Sequence, residues 1–164
     1  MTADRIEKQR VLQAPRERVW QAVSEAPRFG YWFGVDFDGP FVEGARITGR
    51  IAPTQVDAEV ARLQEPYRGM AFEFLVERIE PLRRISFRWH PFAIDPTVDY
   101  SAETMTLIEF VLTEQGDATL LTISESGFDQ IPAQRRAQAY AANEGGWTHQ
   151  LELVAKYLAL KTPD

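Results

Sequence analysis

Four stretches between residues 70 and 126 alternate apolar and polar side chains. The first carries Met70, Phe72, Phe74 and Val76 on one parity, and Glu73 and Glu77 on the other. Residues 84–90, 106–113 and 119–126 repeat the pattern. Because successive side chains of a β-strand point to opposite faces, the alternation predicts four strands with one apolar and one charged face.

Short turns join the first and last pairs of these strands, which favours antiparallel hairpins. Pro81-Leu82 forms one predicted turn and Gln115-Gly116-Asp117 the other. The predicted inner faces of the last three strands carry Ile85, Phe87, Trp89, Ile108, Phe110, Leu112, Leu121 and Ile123. The same parity places Glu125 on the apolar face.

A long amphipathic helix is predicted from Pro132 to Leu160. At about 100° per residue, one stripe contains Tyr140, Trp147, Leu151, Val154 and Leu158, with Asn143 and Glu144 beside it. Pro132 suits the first helical position, where its missing N–H has no partner. Gly145-Gly146 lies in the middle, which indicates either a close contact that needs the missing side chains or a tolerated weak point.

The first half of the chain predicts a strand, two short helices and another strand. Arg5–Gln13 forms the strand, a helix begins at Pro15, and a helical turn follows over residues 27–34. Gly44–Ile51 is the next predicted strand. Residues 56–68 fit either a helical turn capped by Asp57 or a loop that acts as a lid.

This order predicts an α+β protein of one domain over residues 1–164, in which the long helix covers the apolar face of an antiparallel sheet. The composition is 45% hydrophobic and 12% aromatic. So many rings indicate a lined cavity or, alternatively, a dense aromatic core.

Charge and composition exclude several functions. The net charge is −6 and no basic block occurs, which argues against a nucleic-acid partner. The absence of cysteine excludes disulfides and thiolate chemistry. The first residues do not resemble a signal peptide, and no apolar run is long enough to span a membrane, so we expect a soluble cytoplasmic protein.

The sequence lacks the motifs of nucleotide loops, serine hydrolases and zinc peptidases. His90 and His149 are the only histidines. His149 is predicted to face solvent and His90 to lie on the outer face of its strand, so no metal site is predicted. No cofactor is expected.

Several segments in this order resemble the START-like, or SRPBCC, superfamily, and within it the branch named after the activator of the ninety-kilodalton heat-shock protein ATPase. They are APRERVWQAV, VERIEPLRRISFRWHP, TLIEFVL, LLTISESGFD and NEGGWTHQLELVAKYL. The resemblance implies the helix-grip fold of the birch-pollen allergen, in which a curved antiparallel sheet wraps a long C-terminal helix. The superfamily includes lipid carriers, hormone receptors and polyketide cyclases.

The resemblance also implies a cavity between sheet and helix. The residues predicted to line it are Trp32, Phe72, Phe74, Phe87, Trp89, Phe110, Glu125, Tyr140, Asn143 and Trp147. The alternative is that these side chains fill the core at normal density.

Glu125 is the strongest single candidate for a functional residue, because burying a carboxylate on the inner face costs free energy unless it is paired or hydrogen-bonded. It could anchor a hydroxyl or amine of a ligand, or act as a general acid. Alternatively, the strand ends or bulges at Ser124, and Glu125 reaches water or pairs with Arg136.

Three functions follow from this pattern. The preferred hypothesis is a binding protein for a small apolar or aromatic molecule. The second is a cyclase- or hydrolase-like enzyme that uses Glu125. The third is a co-chaperone-type domain that binds a protein partner through its surface.

Overall fold

The computed structural model describes residues 4–95 and 97–160. Within them lie seven strands: β1 Arg5–Leu12, β2 Val35–Phe37, β3 Arg46–Ile51, β4 Ala71–Glu80, β5 Arg84–Trp89, β6 Thr106–Gln115 and β7 Ala118–Ser126. The α-helices are α1 Arg16–Ser24, α2 Ala26–Phe33, α3 Ala58–Gln64 and α4 Ala133–Ala159. Single 3₁₀ turns occupy Glu65–Tyr67 and Phe128–Gln130.

All seven described strands form one antiparallel sheet in the order β1-β7-β6-β5-β4-β3-β2. Helix α4 packs against β1, α1 and α2. The curved sheet around a long C-terminal helix is the helix-grip fold that the sequence predicts. Strand β2 was not predicted, because three residues are too short to show an alternating pattern.

Helices α1 and α2 connect β1 to β2 across the width of the sheet. Pro15 is the N-cap of α1, so the helix begins one residue later than predicted. Helix α2 ends at Gly34, whose φ of 97° is accessible to glycine without steric cost, and its amide donates to Gly30 O. This turn sends the chain into β2.

The segment over residues 56–68 is a helix followed by a 3₁₀ turn. The Asp57 carboxylate caps α3 by accepting the Val60 amide at 3.0 Å, as predicted. The same carboxylate accepts from Lys156 of α4, and this hydrogen bond holds the pKa of Asp57 below its usual range. No residue of α3 is buried. These hydrogen bonds of Asp57 and the partly buried side chain of Val60 attach the helix to the rest of the protein.

Helix α4 runs without interruption through Gly145-Gly146. Pro132 is its N-cap with ψ of 134°, so the expectation that it occupies the first helical position was wrong by one residue. The buried residues of α4 are Ala139, Trp147, Leu151, Leu153, Val154, Tyr157 and Leu158. Tyr140 is half-buried, and its hydroxyl donates to Arg5 O at 3.1 Å.

Aromatic rings fill most of the space between the sheet and the helices. The Phe29 ring is fully buried and lies 4.9–6.1 Å, centroid to centroid, from seven other rings. These rings belong to Trp32, Phe33, Phe37, Phe41, Phe74, Phe87 and Phe110. Dense aromatic packing, rather than a large cavity, therefore occupies the centre of the molecule.

We predict that Phe29→Ala lowers the free energy of unfolding by about 3–5 kcal/mol, because the surrounding rings cannot collapse into the space it leaves. Urea denaturation measures this change. The matched control is Val42→Ala, at a side chain 54% exposed, which should change stability by less than about 0.5 kcal/mol. Equal effects of the two substitutions would contradict the packing described here.

Candidate functional site

Glu125 is a completely buried acidic residue on the inner face of the sheet. It lies on β7, opposite Ile6 of β1 and Ile108 of β6, and its exposure is 0%. Its neighbours Leu121 and Ile123 on the same face are also buried. The parity of the sequence therefore predicted its position correctly.

Four side chains donate hydrogen bonds to this carboxylate. Oε1 accepts from Trp147 Nε1 at 2.8 Å and from Asn143 Nδ2 at 3.0 Å. Oε2 accepts from Trp89 Nε1 at 2.8 Å and from Thr106 Oγ1 at 2.6 Å, with Asn143 Nδ2 also within 3.2 Å. Each oxygen thus has at least two donors, which matches the hydrogen-bonding capacity of an ionised carboxylate.

The fold brings these donors together from three elements. Trp89 ends β5 and Thr106 begins β6, and the two residues are directly paired in the sheet register. Asn143 and Trp147 are four residues apart on α4 and so share one face of the helix. The carboxylate of β7 therefore joins the helix to the middle of the sheet.

Residues on both sides of the connection between β5 and β6 are held against α4. Arg135 donates to the Glu103 carboxylate at 2.8 Å and to the carbonyls of Pro91 and Phe92 at 3.0 Å each. Its guanidinium carbon also lies 4.7 Å from the centre of the Tyr100 ring. Arg135 thereby helps to position the ends of β5 and β6 that supply two of the four donors.

The alternative in which the strand bulges at Ser124 and Glu125 meets Arg136 was wrong. Ser124 pairs regularly with Glu7 and Glu109. Arg136 instead donates to the carbonyls of Asp129 and Ile131, at 3.1 and 3.0 Å. Among the described residues, the donors on Glu125 are neutral side chains, which compensate its desolvation without an ion pair.

A small cleft opens beside this network. Its volume is about 70 Å³, and it is lined by Phe33, Trp89, Asn143, Gly146, Trp147 and Gln150. Trp89 and Trp147 lie with their ring centroids 5.9 Å apart and their planes inclined by 37°. Three of the four groups that hold Glu125 therefore also form the wall of the cleft.

Gly146 leaves this cleft open. Apart from its chain neighbours and the backbone of its own helix, a Cβ atom at Gly145 or at Gly146 would meet no atom within 4 Å. No other segment of the described chain therefore comes close enough to require either glycine, and a ligand stays a prediction. Of the two glycines, only Gly146 lines the cleft, so its missing side chain enlarges the opening beside the rings of Trp89 and Trp147.

The structure divides the residues predicted to line a cavity into two groups. Trp89, Asn143 and Trp147 line the cleft, and Glu125 lies directly behind them. The others lie in the packed core or at its edge: Trp32, Phe74, Phe87 and Phe110 are buried, while Phe72 and Tyr140 are partly buried.

Gln150 and Gly146 were missed as lining residues. A signal existed for Gln150, which follows Trp147 by three positions and so lies only about 60° from it around the helix. From sequence alone, a polar residue so close to the apolar stripe is assigned to the boundary between the buried and the exposed face of the helix, because the neighbouring cleft is not known.

The two histidines lie apart from this site. His149 is exposed, as predicted, and His90 Nε2 lies 3.1 Å from Glu103 O. In residues 4–95 and 97–160, no three His, Cys, Asp or Glu side chains cluster in a way that could hold a metal ion. Over the same ranges, no helix is both long and apolar enough to cross a bilayer.

A wider groove of about 640 Å³ lies between α2 and the β2–β3 hairpin. Its lining includes Tyr31, Asp36, Phe37 and Asp38. It shares no lining residue with the cleft and lies away from the Glu125 network.

Comparisons with known proteins agree with this architecture. The family model described as Activator of Hsp90 ATPase homolog 1-like protein matches residues 13–159. The comparison with curated proteins gave no match. Among solved structures, DynU16, a protein of the dynemicin biosynthetic locus, is 25% identical with a TM-score of 0.68; the match covers 99% of this chain but 49% of DynU16. This chain therefore spans about half of that protein.

Two further structures match over nearly the whole of both chains. MLL2253 from Mesorhizobium loti is 23% identical with a TM-score of 0.69, covering 97% of this chain and 99% of its own. The Aha1 dimer from Colwellia psychrerythraea is 17% identical with a TM-score of 0.68, covering 99% and 100%. At this identity, these two show a shared fold.

We predict that Glu125→Gln lowers the free energy of unfolding by about 2–4 kcal/mol, because an amide offers one acceptor oxygen to a pocket of donors and leaves buried N–H groups unpaired. Denaturant titration measures the loss. Glu109→Gln, on the outer face of the adjacent strand, is the control and should cost less than about 1 kcal/mol. If Glu125→Gln left the free energy of unfolding unchanged, this result would contradict a structural role for the carboxylate.

We also predict that Gly145→Ala and Gly146→Ala each raise the free energy of unfolding, by up to about 1 kcal/mol, because alanine favours the helix and its methyl group meets open space at both positions. Thermal or chemical denaturation of the two variants tests this. Destabilisation at either position would reveal a steric constraint that the structure does not show.

Proposed function

Because the chain belongs to the Activator of Hsp90 ATPase homolog 1-like family, we propose that it binds a small aromatic or apolar molecule in the cleft between α4 and the sheet. The observation that carries the proposal is the cleft itself, which is lined by three aromatic rings and by Gly146. Binding sites for small molecules commonly combine apolar walls with a few placed polar groups.

The Glu125 network supports this proposal by holding the walls rigid. Both indole N–H groups of the cleft donate to the buried carboxylate, so the rings of Trp89 and Trp147 have fixed orientations. A ligand that contacts prepared aromatic faces loses less free energy to ordering of the protein. DynU16, at 25% identity, is a protein of a biosynthetic locus, which is consistent with a small-molecule ligand.

The size of the cleft restricts how the ligand binds. Sites that enclose a drug-sized molecule have volumes of roughly 300–1,000 Å³, whereas this cleft has about 70 Å³. Packed rings occupy the remaining space between sheet and helix. The ligand therefore inserts one ring or a short apolar group, and the rest of it lies at the mouth of the cleft.

Acid–base catalysis is less well supported than binding. None of the six residues that line the cleft is titratable. Glu125, the acid proposed for an enzymatic role, lies behind them with both oxygens already hydrogen-bonded. A general acid or base must reach the proton it transfers, directly or through one water, and this geometry gives Glu125 no free lone pair for it.

A protein partner is the second candidate, favoured by the filled core and by the family description, which refers to an activator of a chaperone ATPase. The outer sheet face offers a charged depression of about 500 Å³, lined by Glu43, Glu77, Arg78, Ser86, Leu107 and Glu109. Because three carboxylates and one guanidinium line it, such a surface would recognise a predominantly basic partner.

We predict saturable binding of at least one compound from a panel of fatty acids, flavonoids and polyketide-like aromatics, measured by tryptophan fluorescence and thermal shift. Trp89 and Trp147 report directly on occupancy of the cleft. Gly146→Leu should abolish binding by filling the opening. Gly145→Leu changes the same helix with a side chain of the same size outside the cleft and should bind as the native protein does.

Equal loss in both leucine variants, or none in either, would place binding elsewhere. A different outcome would favour the protein partner. The native protein would then bind no compound of the panel and would capture a protein partner, and reversing the charges at Glu77 and Glu109 would abolish that capture.

A further inference from the structure

Gln150 carries a buried oxygen atom without a hydrogen bond. Its side-chain Oε1 is enclosed within the protein and has no partner among the described residues. The side chain lines the cleft one helical turn beyond Gly146. Because a buried acceptor without a hydrogen bond destabilises the folded protein, such an atom requires an explanation.

The orientation of the amide follows from its other end. Gln150 Nε2 lies 3.5 Å from Phe33 O, at the limit of a hydrogen bond. The same carbonyl accepts from Gln64 Nε2 of α3 at 3.1 Å. The Phe33 carbonyl therefore has a hydrogen-bond donor without Gln150. Because Nε2 of Gln150 points toward that carbonyl, Oε1 is the atom of the amide that has no partner.

The N–H donors of the other polar residues in the cleft are committed to Glu125. The indole N–H groups of Trp89 and Trp147 and the amide N–H of Asn143 all donate to the carboxylate. A ligand in the cleft thus meets the rings of Phe33, Trp89 and Trp147 and the side chain of Gln150, whose Oε1 is buried and unpaired. These surroundings suit a flat ring that carries a hydrogen-bond donor.

The buried carboxylate also selects against one class of ligand. Glu125 lies directly behind the cleft wall, and the whole chain carries a net charge of −6. An anionic group inserted here would meet like charge in a poorly solvated site and would gain no cationic partner among the six lining residues.

We propose that the ligand of this cleft is a neutral aromatic molecule with a hydroxyl or N–H group, and that Gln150 Oε1 accepts its hydrogen bond. This inference rests on the proposed function, since it concerns the same cleft. Gln150 is then the residue that distinguishes a hydroxylated ring from a purely apolar ring of the same shape, because only the former satisfies the buried oxygen.

Phenol and toluene test this inference, because they have nearly the same shape and differ in a hydroxyl group against a methyl group. Each is titrated into the ¹⁵N-labelled full chain, and dissociation constants are taken from the assigned indole N–H signals of Trp89 and Trp147. Phenol should bind about 5-fold more tightly than toluene, the factor that corresponds to one net neutral hydrogen bond.

Gln150→Met retains the length of the side chain, removes the acceptor and should abolish the preference for phenol, because the inserted hydroxyl then lacks a partner. Gln138→Met, at an exposed position of the same helix, is the control and should retain the preference for phenol. The ratio in the native protein needs no variant, so the inference stays testable even if Gln150→Met does not fold.

Equal affinities in the native protein would overturn the role of Gln150 and leave the proposed function standing. Retention of the phenol preference in folded Gln150→Met would also overturn it. If neither compound shifts the Trp89 and Trp147 signals, the cleft does not bind aromatic rings, and the proposed function fails together with this inference.

Discussion

A single buried carboxylate determines how the helix and the sheet of this protein meet. Glu125 has no access to solvent, so every one of its oxygens must be satisfied from within the fold. Its donors come from β5, β6 and α4. Any shift of α4 along the sheet would withdraw two donors at once, because Asn143 and Trp147 lie on the same helical face. The network therefore specifies one arrangement of α4 on an otherwise non-directional apolar surface.

The same interaction connects stability to the candidate site. Tryptophan rings buried only by apolar contacts could rotate, but the hydrogen bonds to Glu125 orient Trp89 and Trp147. Behind them the aromatic core around Phe29 is densely packed. Beside these two rings, the packing thus leaves a small opening at Gly146. We infer that selectivity depends on the shape of one inserted ring and on the polar group that meets Gln150.

Much of the fold could be predicted from periodicity. The four hairpin strands, the two short helices and the long C-terminal helix follow from apolar positions at spacings of two or of three to four residues. Strand β2 could not be predicted, because three residues show no period. Pro132 was assigned one position too far into α4, because proline suits both the N-cap and the first helical turn. The site was predicted in part: parity placed Glu125 inside, but its partners lie 18–36 residues away in the chain.

The sequence by itself determined the elements, their faces and the burial of one acidic residue, because these depend on local periodicity and on the alternation of a strand. Only the tertiary structure decided what surrounds that residue. Whether Glu125 meets Arg136, water or four neutral donors depends on the register between strands and on the position of α4, which local pattern does not encode. It likewise decided that the aromatic residues mostly fill the core and that a small cleft opens beside Gly146 and Gln150, because packing depends on how side chains from distant segments fit together.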